Sequence, residues 1–230
     1  MSRSFCVLAS FLIVCAALAD PAPVNRPWVT GWDKPVDPDK DCKFIRYKDT
    51  LTIEVPPGKN HGLAVEIDLT NAPRLLRDVE GDFVAQVRVE GTFLPSENSS
   101  NRQRLSFIGA GLVLMKEERT YIRLERAALH VRGEIKHYTN WELREDGKWL
   151  LAGNTGVQPL EDEAAYLRLQ RKGDKLLASV SHDGKEWKEL KPLEVKLPAK
   201  LKLGVSLSTS SMDAFAPQFD QFQLTFEKKK

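Results

Sequence analysis

Two carboxylates stand two residues apart in Glu66-Ile67-Asp68-Leu69-Thr70-Asn71. On an extended strand such residues share a face, so both would project together. Paired carboxyls can hydrolyse a glycosidic bond, and the retaining form needs them about 5–5.5 Å apart, one to protonate and one to attack. A third carboxyl three residues beyond Asp68 would complete such a set, but that position holds Asn71. An amide cannot donate and recover a proton, so the segment is expected to be a non-catalytic strand. The four histidines, His61, His130, His137 and His182, lack the short-range spacing of a zinc motif. The chain has neither a Gly-x-Ser-x-Gly nucleophile elbow nor a phosphate loop.

A second chemistry is recognition. Thr120-Tyr121-Ile122-Arg123-Leu124-Glu125-Arg126 returns nearly unchanged as Ala165-Tyr166-Leu167-Arg168-Leu169-Gln170-Arg171. Period two predicts half-buried strands, with Ile122, Leu124, Leu167 and Leu169 toward a core. Tyr121, Arg123, Glu125, Tyr166, Arg168 and Gln170 would then face outward and, if the strands are neighbours, line one concave polar platform with Trp141 at its rim. Aromatic faces suit the C–H face of a sugar ring, and planar Arg, Glu and Gln groups suit its hydroxyls. The alternative is a solvated sheet whose charges neutralise one another across strands.

Asp37, Asp39 and Asp41 crowd three carboxylates into five residues, a set that a hard cation such as calcium would take. Cys42 and Lys48 stand where an EF-hand loop has Gly and Glu, so the alternative is a solvated turn. No other cofactor is implied.

Elements that could position these groups follow from composition and pattern. The 230 residues are 42% hydrophobic, with 34 Lys+Arg against 32 Asp+Glu. That balance does not point to nucleic acid. Residues 1–19 read as a cleavable leader: Arg3, an apolar run from Phe5 to Ala17, then Ala17-Leu18-Ala19 before Asp20. Its removal leaves no membrane segment and leaves Cys42 as the single cysteine, so an exported chain, periplasmic or extracellular, would have no internal disulfide. Asn98-Ser99-Ser100 is a glycosylation sequon.

Residues 20–42 read as an irregular N-terminal strap pinned by Trp28 and Trp32, 43–226 as one domain, and 227–230 as a basic tail. Strands are expected at Thr50–Val55, Leu63–Leu69, Phe83–Glu90 and Leu105–Met115, at both Tyr-x-Arg segments, and in a hairpin around Asp146-Gly147. Others are expected at Lys175–His182, Leu201–Ser208 and Phe219–Phe226, with 71–80 a loop or helical turn. About a dozen short strands and no long helix predict an all-β, two-sheet antiparallel sandwich.

Gly109-Ala110-Gly111-Leu112-Val113-Leu114-Met115, the two Tyr-x-Arg strands, Ser181-His182-Asp183-Gly184-Lys185-Glu186-Trp187 and Phe219-Asp220-Gln221-Phe222-Gln223-Leu224 together resemble a concanavalin A-like domain. They are similar to a secreted bacterial group sometimes labelled "regulation of enolase"-like. The resemblance covers roughly residues 28–226 and implies a jelly roll, a fold shared by lectins, sugar-binding modules and glycoside hydrolases. Fold alone does not choose among these. The expected function is an exported, non-catalytic module that binds a carbohydrate or a cell-envelope component. The alternatives are a glycoside-active enzyme with an atypical site and a protein-interaction or structural module. Oligomeric state is not readable from the sequence.

Overall fold

The computed structural model describes residues 28–150 and 164–226. The leader, residues 20–27 of the strap and the 227–230 tail lie outside the described residues.

The described chain forms fourteen strands. They are β1 (Lys43–Tyr47), β2 (Thr50–Glu54), β3 (Arg74–Glu80), β4 (Phe83–Glu90), β5 (Phe107–Glu117), β6 (Thr120–Val131) and β7 (Glu134–Glu145). Then follow β8 (Lys148–Leu150), β9 (Ala165–Lys172), β10 (Lys175–Ser181), β11 (Lys188–Glu189), β12 (Leu193–Glu194), β13 (Lys200–Thr209) and β14 (Gln218–Phe226). A six-stranded sheet runs β3-β13-β5-β6-β7-β8, and an eight-stranded sheet runs β1-β2-β14-β4-β9-β10-β11 with β12 beside β10. Every pairing is antiparallel. The architecture is a two-sheet jelly-roll sandwich.

Alternation builds the layer between the sheets. Phe83, Ala85, Val87 and Val89 of β4 are fully buried, while the residues between them are half-exposed. They meet Leu112 and Leu124 from the other sheet and Leu167 and Leu169 from β9 in one core. β5 is buried on both faces along Phe107–Met115, as its continuous apolar run predicts. Gly111 is needed there because a Cβ would lie 2.0 Å from the Leu124 carbonyl oxygen. The β7–β8 hairpin turns on Asp146 and Gly147 with φ of 49° and 79°, the left-handed pair that a two-residue turn requires.

The strap does more than rest on the surface. Val36 pairs with Arg74 at the edge of β3 through hydrogen bonds of 2.9 and 3.0 Å. Trp28 is buried, with the tilted rings of Trp32 and Phe222 centred 5.1 and 5.2 Å from its own.

Two expectations are corrected. Leu63–Leu69 is not a strand: Val65–Ile67 is a 3-10 turn, Asp68 has φ 53°, and Ala64 pairs back onto Leu69. Conversely, 74–80 is β3 rather than a loop. Both errors have one cause. The 61–72 segment folds over the outer face of the six-stranded sheet, where Leu63, Val65 and Ala72 cover Leu76, Val113, Met115 and Tyr121. β3 is therefore apolar on both sides at Leu75 and Leu76, which hides its alternation.

Candidate functional site

Beyond the 61–72 cover, the outer face of the six-stranded sheet opens into a cleft of about 480 Å³. Register assembles its floor. Arg123 lies opposite Glu142, Glu125 opposite Asn140, and Tyr121 opposite Arg144. Arg123 donates through Nε and Nη2 to Glu142 Oε1, and Arg144 Nη1 contacts the other oxygen, Oε2. Arg144 also donates from Nε and Nη2 to the two oxygens of Glu66, 3.1 Å each. Behind this row, Arg123 Nη1 donates to Ser208 Oγ at 2.9 Å, and Asn140 Nδ2 donates to Glu125 Oε2 at 2.7 Å.

These groups are fixed rather than solvated: Arg123, Glu142 and Arg144 are 4%, 4% and 3% exposed. Burial pushes the Glu142 carboxyl upward, but Arg123 and Arg144 outweigh it and hold the group below its ordinary range. For Glu125 burial wins, the Arg123 charge offsets it only in part, and the pKa is raised. Glu66 is lowered because hydrogen bonds from Arg144 outweigh its burial. Glu142 is thus gripped by two guanidiniums, Glu66 by one, and Glu125 sits beneath Asn140.

The walls differ in kind. Tyr138, Phe107 and Leu105 supply apolar surface, and Trp149 stands half-exposed at the rim with the Arg144 guanidinium 4.9 Å from its ring centre. Arg104 enters from the 91–106 loop. Burial and then the nearby charge of Arg123 lower its pKa. Among the described residues its guanidinium has no hydrogen-bonding partner, and it feels Glu66 and Glu142 only at longer range.

The expected platform is not formed as a single surface. Tyr121, Arg123 and Glu125 do share the outward face of β6, and Tyr166, Arg168 and Gln170 share that of β9. But β6 and β9 belong to different sheets. Because both copies send their aliphatic residues into one core, their polar faces must diverge to opposite outsides of the sandwich. Tyr121 is fully buried under the 61–72 cover, its hydroxyl accepting the Val65 N–H at 3.4 Å. Trp141 is not at a rim: it faces the core opposite Leu124, and its indole N–H donates to Lys191 O at 3.0 Å. Arg168 and Gln170 line a separate hollow of about 130 Å³, where Arg168 bonds Gln86 and stacks on Trp187 at 3.6 Å.

The three aspartates do not converge as a calcium set. Asp37 accepts the backbone N–H groups of Lys40 and Cys42 at 3.0 and 2.9 Å, and Asp39 accepts Asn71 Nδ2 at 2.7 Å. Asp41 Oδ1 lies 3.2 Å from His61 Nε2 and Asp39 Oδ2 lies 3.8 Å from its Nδ1, so the two carboxylates meet opposite edges of the ring rather than one point. Glu66 and Asp68 share no strand face, since the 3-10 turn separates them.

Glu142, Arg144, Tyr138, Asn140, Trp149 and Arg104 were not singled out from sequence. A signal existed for four of them. Tyr138, Asn140, Glu142 and Arg144 alternate with Thr139, Trp141 and Leu143 in the same period as the two Tyr-x-Arg strands, and the Asp146-Gly147 turn fixes their register against β6.

No protein-family profile matches the chain, and no curated protein matches it. Solved structures do. A functionally unknown protein from Saccharomyces cerevisiae superposes with a TM-score of 0.57 at 16% identity, over 86% of this chain and 96% of that one. The GH43 protein BlXynB from Bacillus licheniformis gives 0.57 at 18% identity, over 86% of this chain but only 40% of the larger protein. The carbohydrate-binding module CBM66 from Bacillus subtilis gives 0.50 at 10% identity, over 85% and 95% of the two chains. At these identities the likeness is one of fold, the two-sheet jelly-roll sandwich.

Proposed function

We propose that this chain is an exported, non-catalytic carbohydrate-binding domain whose site is the cleft above β6 and β7, and that it selects acidic sugars. The observation that carries the reading is the charge arrangement. Arg104, Arg123 and Arg144 enter the cleft beside Glu66 and Glu142, and among the described residues the Arg104 guanidinium has no acceptor. A half-desolvated guanidinium favours a carboxylate or other planar anion, to which it can donate two parallel hydrogen bonds. Trp149 and Tyr138 offer ring faces to the apolar side of a pyranose. The sugar-binding module among the structures of similar fold supports a glycan as the ligand class.

Binding is favoured over hydrolysis because every carboxyl in or below the cleft is engaged. Glu142 and Glu66 are held by arginines, and Glu125 lies buried behind Asn140. A general acid must reach the glycosidic oxygen, and none of these carboxyls is free to turn toward it. On its strand motifs the narrower "regulation of enolase"-like assignment belongs to this reading, as does export.

Calorimetry with the mature chain should show binding of an acidic oligosaccharide such as an oligouronide, and weaker or no binding of its neutral counterpart. Arg104→Met is expected to weaken that binding about tenfold to a hundredfold, the loss of one charge-assisted contact, with little change in unfolding. Equal binding of neutral and acidic sugars, or no effect of Arg104→Met, would remove the acidic specificity. Release of reducing ends, abolished in Glu142→Gln, would replace the binding reading with an enzymatic one. Export predicts Asp20 as the N-terminus of secreted protein by mass spectrometry, and a full-length chain kept inside the cell would oppose it.

A further inference from the structure

The strap and the 61–72 cover meet at Asp41, Cys42 and His61, and we propose that these three residues form a binding site for a zinc-like divalent metal ion. The site is distinct from the sugar cleft. Its three donor atoms form a triangle: His61 Nε2 to Asp41 Oδ1 is 3.2 Å, Cys42 Sγ to Asp41 Oδ1 is 3.5 Å, and Cys42 Sγ to His61 Nε2 is 3.9 Å. Metal–sulfur bonds of about 2.3 Å and metal–nitrogen or metal–oxygen bonds of about 2.0–2.1 Å place the corners of a tetrahedron about 3.3–3.6 Å apart. The triangle matches one face of that tetrahedron within a few tenths of an ångström. One thiolate, one imidazole and one carboxylate are a donor set suited to zinc rather than to calcium, which takes oxygen ligands.

The orientation of His61 supports the same conclusion. The residue is 1% exposed, and its Nδ1 lies 3.2 Å from the Asn71 carbonyl oxygen, an atom that can only accept. Nδ1 is therefore the donor there, and in the neutral ring Nε2 presents a lone pair to Asp41 Oδ1. Two lone pairs 3.2 Å apart are unfavourable unless a proton on Nε2 or a metal ion lies between them, and a metal is the occupant that would also engage Cys42 Sγ, 3.9 Å from the same nitrogen. A histidine whose second nitrogen donates to a backbone carbonyl is the usual arrangement behind a metal.

The surroundings hold the ligands in place. The backbone N–H of Cys42 is held by Asp37, and Asp41 Oδ2 by Lys59 at 3.1 Å, which leaves Oδ1 turned inward. His61 is bridged through its backbone to Thr209 at the end of β13. Asn71 donates to Asp39 and to Asn60 O and accepts the Gly62 N–H at 3.0 Å, so it braces both sides. Three protein ligands leave a fourth corner for water. A metal here would clip the strap to the segment that covers Tyr121 and carries Glu66.

The test uses untagged mature protein, stripped with a chelator and dialysed. Zn²⁺ titrated against a chromophoric chelator should bind at one ion per chain and raise Tm, while Ca²⁺ should not. Co²⁺ in its place should give a thiolate-to-metal charge-transfer band and tetrahedral ligand-field bands. Cys42→Ser should abolish the charge-transfer band and weaken Zn²⁺ binding by about 100-fold or more, since losing even a supporting residue typically costs 10–100-fold. Asp41→Asn should weaken it while retaining the band. His61 is buried and its variants could unfold, so the two strap variants carry the decision. Absence of the cobalt–thiolate band, Zn²⁺ affinity unchanged in both variants, or stabilisation by Ca²⁺ alone would each overturn the assignment.

Discussion

Glu142→Ala is expected to lower the free energy of unfolding by about 3–5 kcal/mol, the cost of breaking a buried ion network by removing one partner. The size follows from what is left behind. Glu142 is shared by Arg123 and Arg144, and without it two buried guanidiniums face each other across the β6–β7 pair. Arg123 keeps Ser208 and an approach of 3.4 Å to Glu125, and Arg144 keeps Glu66, so neither is orphaned, but their mutual repulsion is uncompensated. Urea unfolding followed by tryptophan fluorescence measures the loss directly. Glu142→Gln keeps the shape and should lose less.

The pH dependence has a definite sign. Glu142 is held below its ordinary value of 4.5 in the folded chain. Its contribution is therefore complete above that value and fades as the pH falls through the lowered folded-state pKa. The gap between wild type and Glu142→Gln should be wide at neutral pH and narrow in acid. Glu125, with a raised pKa, works in the opposite direction: its contribution is present at low pH and is lost as the pH rises through its folded value. Hence the difference between the two proteins, rather than the wild-type curve alone, isolates Glu142. An unchanged urea midpoint in Glu142→Ala would mean that water, not the arginines, solvates this group.

The strand phases were legible because alternation is a local property. Ile122 and Leu124, Leu167 and Leu169, and the four inward residues of β4 all lie where period two places them. Sheet membership was not legible. Two strands with nearly the same sequence are equally content on either side of one core, and pairing partners distant in the chain decide which side each takes. Nor could alternation reveal coverage. Leu63, Val65, Ile67 and Leu69 alternate as well as any strand here, yet only Leu63 and Val65 are buried, and the chain turns at Asp68 to close on itself. The metal triangle was invisible for a related reason. Asp41 and Cys42 are adjacent, but His61 reaches them only because Val36 pairs with Arg74 and His61 with Thr209. Sequence spacing reads metal sites built on one local segment, and this one joins two.

The repeated tyrosines give the sharpest test of coverage. Tyr121→Ala is expected to cost about 3–5 kcal/mol, the range for deleting a large buried aromatic side chain. Tyr121 has no exposed surface and fills the space between β5, β6 and the 61–72 cover, touching a cluster that includes Val65, Leu76 and Met115. Tyr166→Ala, at the matching place in the other copy, is expected to cost less than about 1 kcal/mol, as for most exposed sites. Its ring is half-exposed on the opposite sheet, lies against Gly184, and its hydroxyl donates to Gln221 Oε1 at 3.4 Å. Tyr121→Phe separates packing from polarity: it keeps the ring and loses the Val65 contact, worth about 1 kcal/mol. The same variants bear on binding. Removing the Tyr121 ring loosens the segment that carries Glu66, and Glu66 orients Arg144 at the cleft, so Tyr121→Ala should weaken acidic-sugar binding even under conditions where the chain stays folded. Tyr166→Ala, on the far side of the core, should leave that binding unchanged. Equal losses of stability from the two substitutions would mean that the 61–72 segment does not cover the sheet. Loss of sugar binding in Tyr166→Ala alone would move the site to the hollow beside Arg168 and Trp187.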